Sequence, residues 1–434
     1  MIARRPPFFY GWLIVAVAFV TMGVGVNART AFSLFFPPIL DEFGWERGVT
    51  AGAFSFGFLV AAFLGPLLGR LMDRYGPRVT IQLGVGLTGA GMLLGANVTH
   101  PWQLYLGLGV MVGAGSMCLG YTGQSLFLPN WFVRRRGLAM SIAFSGVGIG
   151  SIVLLPVLQA VIDRAGWRAA SIAMGVLVLV LLVPLNLLVK RRPEDVGTGP
   201  DGDPTANTAH GSRAPDNVVD KAWVAIDWTL ARAGRTARFW WIAAAYASGM
   251  FAWYSVQVHQ TRYLVDAGFT ASHAAWALGF VSFIAIPGQI ALGHISDRIG
   301  REWVWTVGCA GFALSYTALL LMYVAPNPAL LWFMVISQGL LGYGLTSVFG
   351  AIPAEIFQGR QYGAIFGTLS GMSMLGGALG PWATGALYDA TGNYVAAFSV
   401  ALGCCIFSAI AMWLASPRQV RAVAGRIGRV QATR

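Results

Sequence analysis

A run of about 20 apolar residues leaves a chain few choices, because in lipid every backbone N–H and C=O must be satisfied within its own segment or by a closed barrel. Such runs recur along this whole sequence. Hydropathy places about twelve of them, near residues 8–36, 48–69, 79–98, 102–130, 137–163, 168–190, 237–264, 272–293, 302–324, 329–350, 361–388 and 394–415. With 56% of the 434 residues hydrophobic and 11% charged, the expectation is an all-α integral membrane protein of twelve transmembrane helices. The first run is too long, and too closely followed by others, to be a cleaved signal peptide.

The net charge of +12 is a matter of topology, not of nucleic-acid binding. Arg70, Arg74, Arg78, Arg134, Arg135, Arg136, Lys190, Arg191, Arg192, Arg298, Arg301 and Arg360 fall in loops that an even number of crossings puts on one side. By the positive-inside rule that side is cytoplasmic, and both termini lie there with it. The opposite loops carry Asp41, Glu42, Glu46, Asp163 and Asp266. An inner (plasma) membrane location follows, with lipid headgroups as the partner of most of these arginines. Cys118, Cys309, Cys404 and Cys405 all lie in apolar spans, so neither a disulfide framework nor a metal site is expected. The sequence has no GxxxxGK[ST] loop, HExxH, CxxC or Ser-His-Asp arrangement, and "GVGIGS" sits in an apolar helix with no strand before it. Neither an enzyme nor a cofactor is expected.

The polar stretch "PEDVGTGPDGDPTANTAHGSRAPDNVVDKAWVAIDWTLAR" divides the chain. It separates a first half (1–192) from a second (237–415), with a linker at 193–236 and a tail at 416–434. Its later part, "AWVAIDWTLARAGRTARFW", has the pattern of an amphipathic helix lying on the membrane. The halves echo each other. "GRLMDRYGPR" follows the second span and "GHISDRIGR" the eighth, so that Asp73 and Asp297 are 297 − 73 = 224 residues apart. A repeat of half the chain length is the mark of a duplicated six-helix unit, whose copies line a pathway at their interface.

Glycine, then Asp-Arg-x-Gly, after the second helix of each half resembles the signature of the major facilitator superfamily. That resemblance implies two pseudo-symmetric six-helix bundles enclosing the pathway within one chain, and hence a functional monomer. Gly69, Asp73, Arg74, Gly293, Asp297 and Arg298 are then candidates for a conformational latch: glycine admits close packing, the aspartate caps the next helix or pairs with arginines, and the arginine holds the contact. Within the superfamily, "NWFVRRRGLAMSIAFSGVGIGSIVLLPVLQAVIDRAGWRAA", "FYGWLIVAVAF" and "AEIFQGRQYGAIFGTLSGMSMLGGALGPWATGALYDATGNY" resemble the monocarboxylate transporter family and its bacterial relatives. Gly146, Gly148, Gly150, Gly376, Gly377 and Gly380 would let helices five and eleven approach their neighbours.

Arg29 is the one full charge in "GVNARTAFSLFF", in the outward half of the first helix before Pro37-Pro38 ends the span. An ionisable residue at that depth is by default a functional hypothesis. Arg29 either holds a carboxylate bidentately, or snorkels outward or pairs with an acid such as Asp41. The family resembled places a lysine one residue later, where Thr30 stands here. Its aspartate–arginine pair in helix eight is replaced by Ala285 and Gln289, and the lysine of oxalate-type relatives by Leu369 or Ser370. One cation and no deep carboxylate favour a monoanion over a dianion. Asn27, Thr30, Tyr121, Gln124, Tyr254, Gln257, Gln289 and Tyr343 complete the expected substrate site, with His259 as a proton-coupling candidate because histidine titrates near neutral pH. Arg262 belongs to the outer rim. The expectation is a secondary transporter moving a small organic anion, a monocarboxylate by the resemblance, with a proton; the alternative is a proton-driven exporter of an amphipathic or drug-like compound.

Overall fold

The computed structural model describes residues 9–45, 47–203, 217–423 and 425. Arg4, Arg5, Glu46, the middle of the linker, and Arg426, Arg429 and Arg434 fall outside them. Among the described residues, eight helical stretches are long and apolar enough to cross a membrane. Two of these fold back on themselves, Arg47–Gly95 at Gly76 and Arg136–Asn186 at Gly166. Together with Ala237–Asp266 and Tyr362–Thr391, this accords with the twelve crossings expected. We number them α1 (Tyr10–Phe43), α2 (47–75), α3 (77–95), α4 (Pro101–Asn130), α5 (136–165), α6 (167–186), α7 (Ala237–Asp266), α8 (Ala271–Ile299), α9 (Arg301–Val324), α10 (Pro328–Ile356), α11 (Tyr362–Thr391) and α12 (Val395–Ala415).

The duplication is visible in the packing. In the first bundle α1 packs on α5 and α4 on α2 and α3; in the second, α7 packs on α11 and α10 on α8 and α9. Across the interface α2 meets α11 and α8 meets α5, so each repeat offers the same helix to the other. Gly76 and Gly300 end the two copies of the motif at φ +80° and +118°, a region that side chains with a Cβ disfavour. The first crossing departs from expectation. Its helix pauses at Ala31, then continues through Pro37 and Pro38 to Phe43, where Gly44 at φ +63° closes it. Proline inside a membrane helix is tolerated when neighbouring segments satisfy the freed backbone groups.

The motif aspartates do not cap the next helix, as expected; each caps a helix of the opposite bundle. Asp73 accepts from the Gly363 and Ala364 N–H groups at the start of α11, at 2.9 and 3.1 Å. Asp297 accepts from Gly137 and Leu138 at the start of α5, at 3.0 and 3.1 Å. A carboxylate against bare helix N-terminal donors is favoured by both hydrogen bonding and the helix dipole. Gly69 and Gly293 make the approach possible: a Cβ on Gly69 would run into the Gly363 carbonyl, and one on Gly293 into Ser141.

The motif arginines do not hold these contacts. Arg74 and Arg298 are exposed, and Arg74 lies over the ring of its neighbour Tyr75. In the second repeat the work falls to buried Arg301, with Nη1 2.7 Å from Asp297 and Nε 2.9 Å from Glu355 at the end of α10. Arg136 adds a 3.8 Å contact to Glu355. In the first repeat Arg191 donates only to the Asp73 backbone carbonyl, at 2.6 Å.

The linker is not one amphipathic helix. Asp220, Thr229 and Thr236 each accept from an N–H three residues on, cutting the segment into Lys221–Val224, Leu230–Ala233 and the start of α7. Trp223 and Trp228 pack on Phe357, with Trp223 Nε1 donating to the Ile356 carbonyl. Val218 pairs antiparallel with Arg421 of the tail, and Val219 and Asp220 donate to the buried Val420 carbonyl. Arg418 approaches Glu302 at 3.7 Å. Linker and tail therefore clasp each other beneath the second bundle, on the arginine-rich face.

Two outcomes are expected. Because Asp297 is buried against Arg301 whereas Asp73 is half-buried without such a partner, Asp297→Asn should lower unfolding free energy in mixed micelles by about 3 kcal/mol and Asp73→Asn by about 1 kcal/mol. Val420→Asp, placing a charge at a fully buried position of the clasp, should speed limited proteolysis of the linker while leaving the helical circular dichroism signal unchanged.

Candidate functional site

The side chains at mid-membrane converge because their helices are locally irregular. Helix α4 widens into π-helical turns over Tyr105–Val112 and breaks at Gly120 (φ −91°, ψ −158°), which turns Tyr121 away from the preceding register. Helix α10 does the same over Ser337–Gly342, ending at Tyr343. Such turns cluster at functional sites. In α7, Tyr254 packs against Gly377 of α11.

Arg29 neither snorkels nor pairs with an acid. Its Cζ lies 3.6 Å from the centroid of the Phe58 ring and 5.0 Å from that of Phe54, both on α2. Its Nη2 is buried and has no hydrogen-bond partner among the described residues. Tyr254, from the other bundle, is within electrostatic range of this guanidinium and of the phenols of Tyr121 and Tyr343. The edge of Phe58 meets Tyr254, with centroids 5.4 Å apart. Tyr121 packs edge-on against Phe144 at 5.1 Å, and Tyr343 against Trp253 at 4.7 Å. Arg29, Tyr121, Tyr254 and Tyr343 all keep some exposed surface despite their depth. The inter-bundle hydrogen bonds of Asp73, Asp297 and Tyr362, and the 2.5 Å contact between Thr122 and Ser370, lie from that level towards the arginine-rich face. On that face the bundles are held together.

Other expected site residues are engaged elsewhere. Asn27 is fully buried between α1 and α5; its amide donates to the Gly23 and Val147 carbonyls at 2.7 and 3.0 Å and its oxygen accepts from Ser151. Thr30 is exposed and donates to Val26 of its own helix. Gln257 is exposed and accepts from Trp253 one turn back. Gln124 donates to the Leu119 carbonyl at 3.3 Å, leaving Oε1 buried without a partner. Gln289 donates to Thr346 at 2.6 Å, tying α8 to α10 beside Tyr343. His259 joins α7 to its neighbours: Nε2 donates to the Pro381 carbonyl at 3.1 Å and Nδ1 faces the Tyr394 hydroxyl at 3.4 Å. Arg262 pairs with Asp266 at the rim.

Sequence reasoning missed Phe54 and Phe58, which carry nothing polar to single them out. Their spacing of four residues on α2, with Arg29 as a cation in want of a partner, was the available signal. Arg136 and Arg301 count in the sequence only as loop charge, and nothing there marks Glu355 as the acid that joins them.

The chain matches the sequence profile of the Major Facilitator Superfamily over residues 12–349 and 263–432. It is 29% identical to monocarboxylate transporter 13 of Bos taurus over 92% of this chain and 88% of that one. Against monocarboxylate transporter 11 of Homo sapiens the identity is 27%, over 96% and 85%. Among solved structures it superposes on the transporter FucP in its outward conformation with a TM-score of 0.67 at 18% identity, covering 94% of this chain and 98% of the other. The proton:xylose symporter XylE gives a TM-score of 0.73 at 14% identity, over 97% and 99%. Helical architecture, duplicated motif and sequence profile agree, and the chain belongs to the major facilitator superfamily of membrane transporters.

Proposed function

We propose that this transporter carries a small organic anion with a single negative charge, a monocarboxylate, across the inner membrane together with a proton, by alternating access. The arginine-rich face, with both termini, is the cytoplasmic one. The observation that carries the reading is the Arg29 guanidinium: a cation at mid-membrane, at the bundle interface, with a buried N–H group that no atom of the described residues accepts from. Such a group costs free energy until an anion arrives, and a carboxylate can take two of its N–H donors at once. The phenols of Tyr121, Tyr254 and Tyr343 supply neutral donors for the second oxygen or for the substrate's body. The names of the curated relatives, monocarboxylate transporters 11 and 13, support the same substrate class. The likeness to the proton:xylose symporter XylE supports proton coupling only as a property of the fold's neighbours.

One anion moving with one proton crosses without net charge, so the pH gradient drives it and the membrane potential does not. We assign the proton to His259, whose two ring nitrogens bridge α7 to α11 and α12, so that protonation changes how those helices are joined. One protein chain suffices, because the pathway lies between its own two bundles.

Proteoliposomes with an alkaline interior should accumulate at least one of labelled acetate, lactate, pyruvate or benzoate, and an imposed potential should not alter the uptake. Arg29→Gln should lower the rate by about 10- to 100-fold, the worth of hydrogen bonds to a charged group; Arg29→Gln with undiminished uptake, or pH-driven efflux of a cationic dye by that variant, would refute the anion reading. His259→Gln should lose gradient-driven accumulation but keep carboxylate–carboxylate exchange. Loss of both activities in a folded variant would refute its coupling role.

A further inference from the structure

A guanidinium held at mid-membrane can be stabilised by an acid, by water or by the faces of aromatic rings. An acid would neutralise it and then compete with an incoming anion for the same N–H groups. An aromatic face attracts the cation through its quadrupole and leaves the N–H groups, which lie at the rim of the planar cation, free. Arg29 has the third arrangement. Phe58 lies in direct contact beneath its Cζ at 3.6 Å, and Phe54, one helical turn away on α2, at 5.0 Å. The two rings brace each other edge to face at 5.6 Å, and Phe54 is stacked in turn on Phe32 at 5.5 Å and 13°. Phe58 is buried, and its other contact is the edge-to-face pair with Tyr254 across the bundle interface.

The geometry points to Phe58 as the positioning residue of the anion site: its ring, in contact with the Arg29 guanidinium, holds that group in place so that the N–H groups the ring leaves free, among them the buried Nη2 with no acceptor among the described residues, receive a carboxylate. Phe54 is its support. This rests on the reading of Arg29 as the anion-binding group and adds the element that makes the group selective. Without the ring the guanidinium keeps its charge but loses its orientation, and is free to turn towards water or backbone carbonyls. Affinity then falls, while the translocation step, which depends on the latches and the bundle contacts, keeps its rate.

The test is concentration-dependent uptake into proteoliposomes of acetate, lactate, pyruvate and benzoate by wild type, Phe58→Leu, Phe58→Tyr, Phe54→Leu and Arg29→Gln, with folding checked by gel filtration. Phe58→Leu should raise KM about tenfold at nearly unchanged maximal rate, and Phe58→Tyr, which keeps a π face, should restore it to within about threefold of wild type. Phe54→Leu, at the longer distance, should raise KM less than Phe58→Leu does. If Arg29→Gln abolishes uptake but Phe58→Leu leaves KM unchanged, the positioning role is overturned and the anion site survives. If Phe58→Leu and Phe58→Tyr lower the maximal rate equally, with KM unchanged, the ring is structural packing and the proposal fails. If Phe58→Leu does not fold, Phe58→Tyr and Phe54→Leu decide: the proposal falls unless Phe54→Leu raises KM while Phe58→Tyr stays near wild type. If Arg29→Gln transports like wild type, or wild type carries none of the four acids, the anion reading fails and takes this inference with it.

Discussion

The first turns of α5 and α11 open at the interface between bundles, with backbone N–H groups that have no acceptor in their own helices. Each is answered by a carboxylate from the opposite bundle, Asp297 for α5 and Asp73 for α11. A cap of this kind is normally local, made by the residue just before the helix. Here it spans the molecule, so the same hydrogen bonds that complete two helices also hold two bundles together on one face. The arrangement needs backbones close enough for a short aspartate to reach, which is why Gly69 lies against Gly363 and Gly293 against Gly137 and Ser141.

The two halves of this clasp are chemically unequal. Around Asp297 the buried cluster of Arg301, Glu355 and Arg136 balances charge with charge. Around Asp73 no equivalent cluster exists among the described residues, and the side chain of Arg191, just before the linker, donates to its backbone oxygen. The later linker and the tail close over the second half, through Val420, Arg418 and the tryptophans that pack on Phe357, while the start of the linker is held to the first bundle by Asp201, which accepts from the Val133 and Arg134 N–H groups. Pseudo-symmetry thus governs the backbone contacts but not their electrostatics, and the second bundle carries the heavier fastening.

Clasping one face leaves mid-membrane side chains partly exposed in the space between the bundles. Arg29 and Phe58 come from the first bundle and Tyr254 and Tyr343 from the second, so any solute bound among them touches both. On the proposed reading, neutralising the one cation there changes the cost of bringing the bundles together on the open side. An aromatic lining suits that task, because rings stabilise a cation without cancelling its charge.

Much of this was legible in the sequence. The apolar runs required helices, the 224-residue repeat of Asp73 and Asp297 pointed to duplication, and the lone charge of Arg29 stood out in its apolar segment. These follow from constraints local to a segment: lipid permits nothing but satisfied backbone, and a buried cation is conspicuous wherever it stands. What only the tertiary structure decided was the partner of each polar group. Asn27 bonds to α5, His259 bonds to α11 and to the Tyr394 hydroxyl just before α12, Arg301 and not Arg298 pairs with Asp297, and two phenylalanines receive Arg29. Those outcomes depend on how helices far apart in sequence rotate and cross, and periodicity within one helix carries no information about the face its neighbour will present.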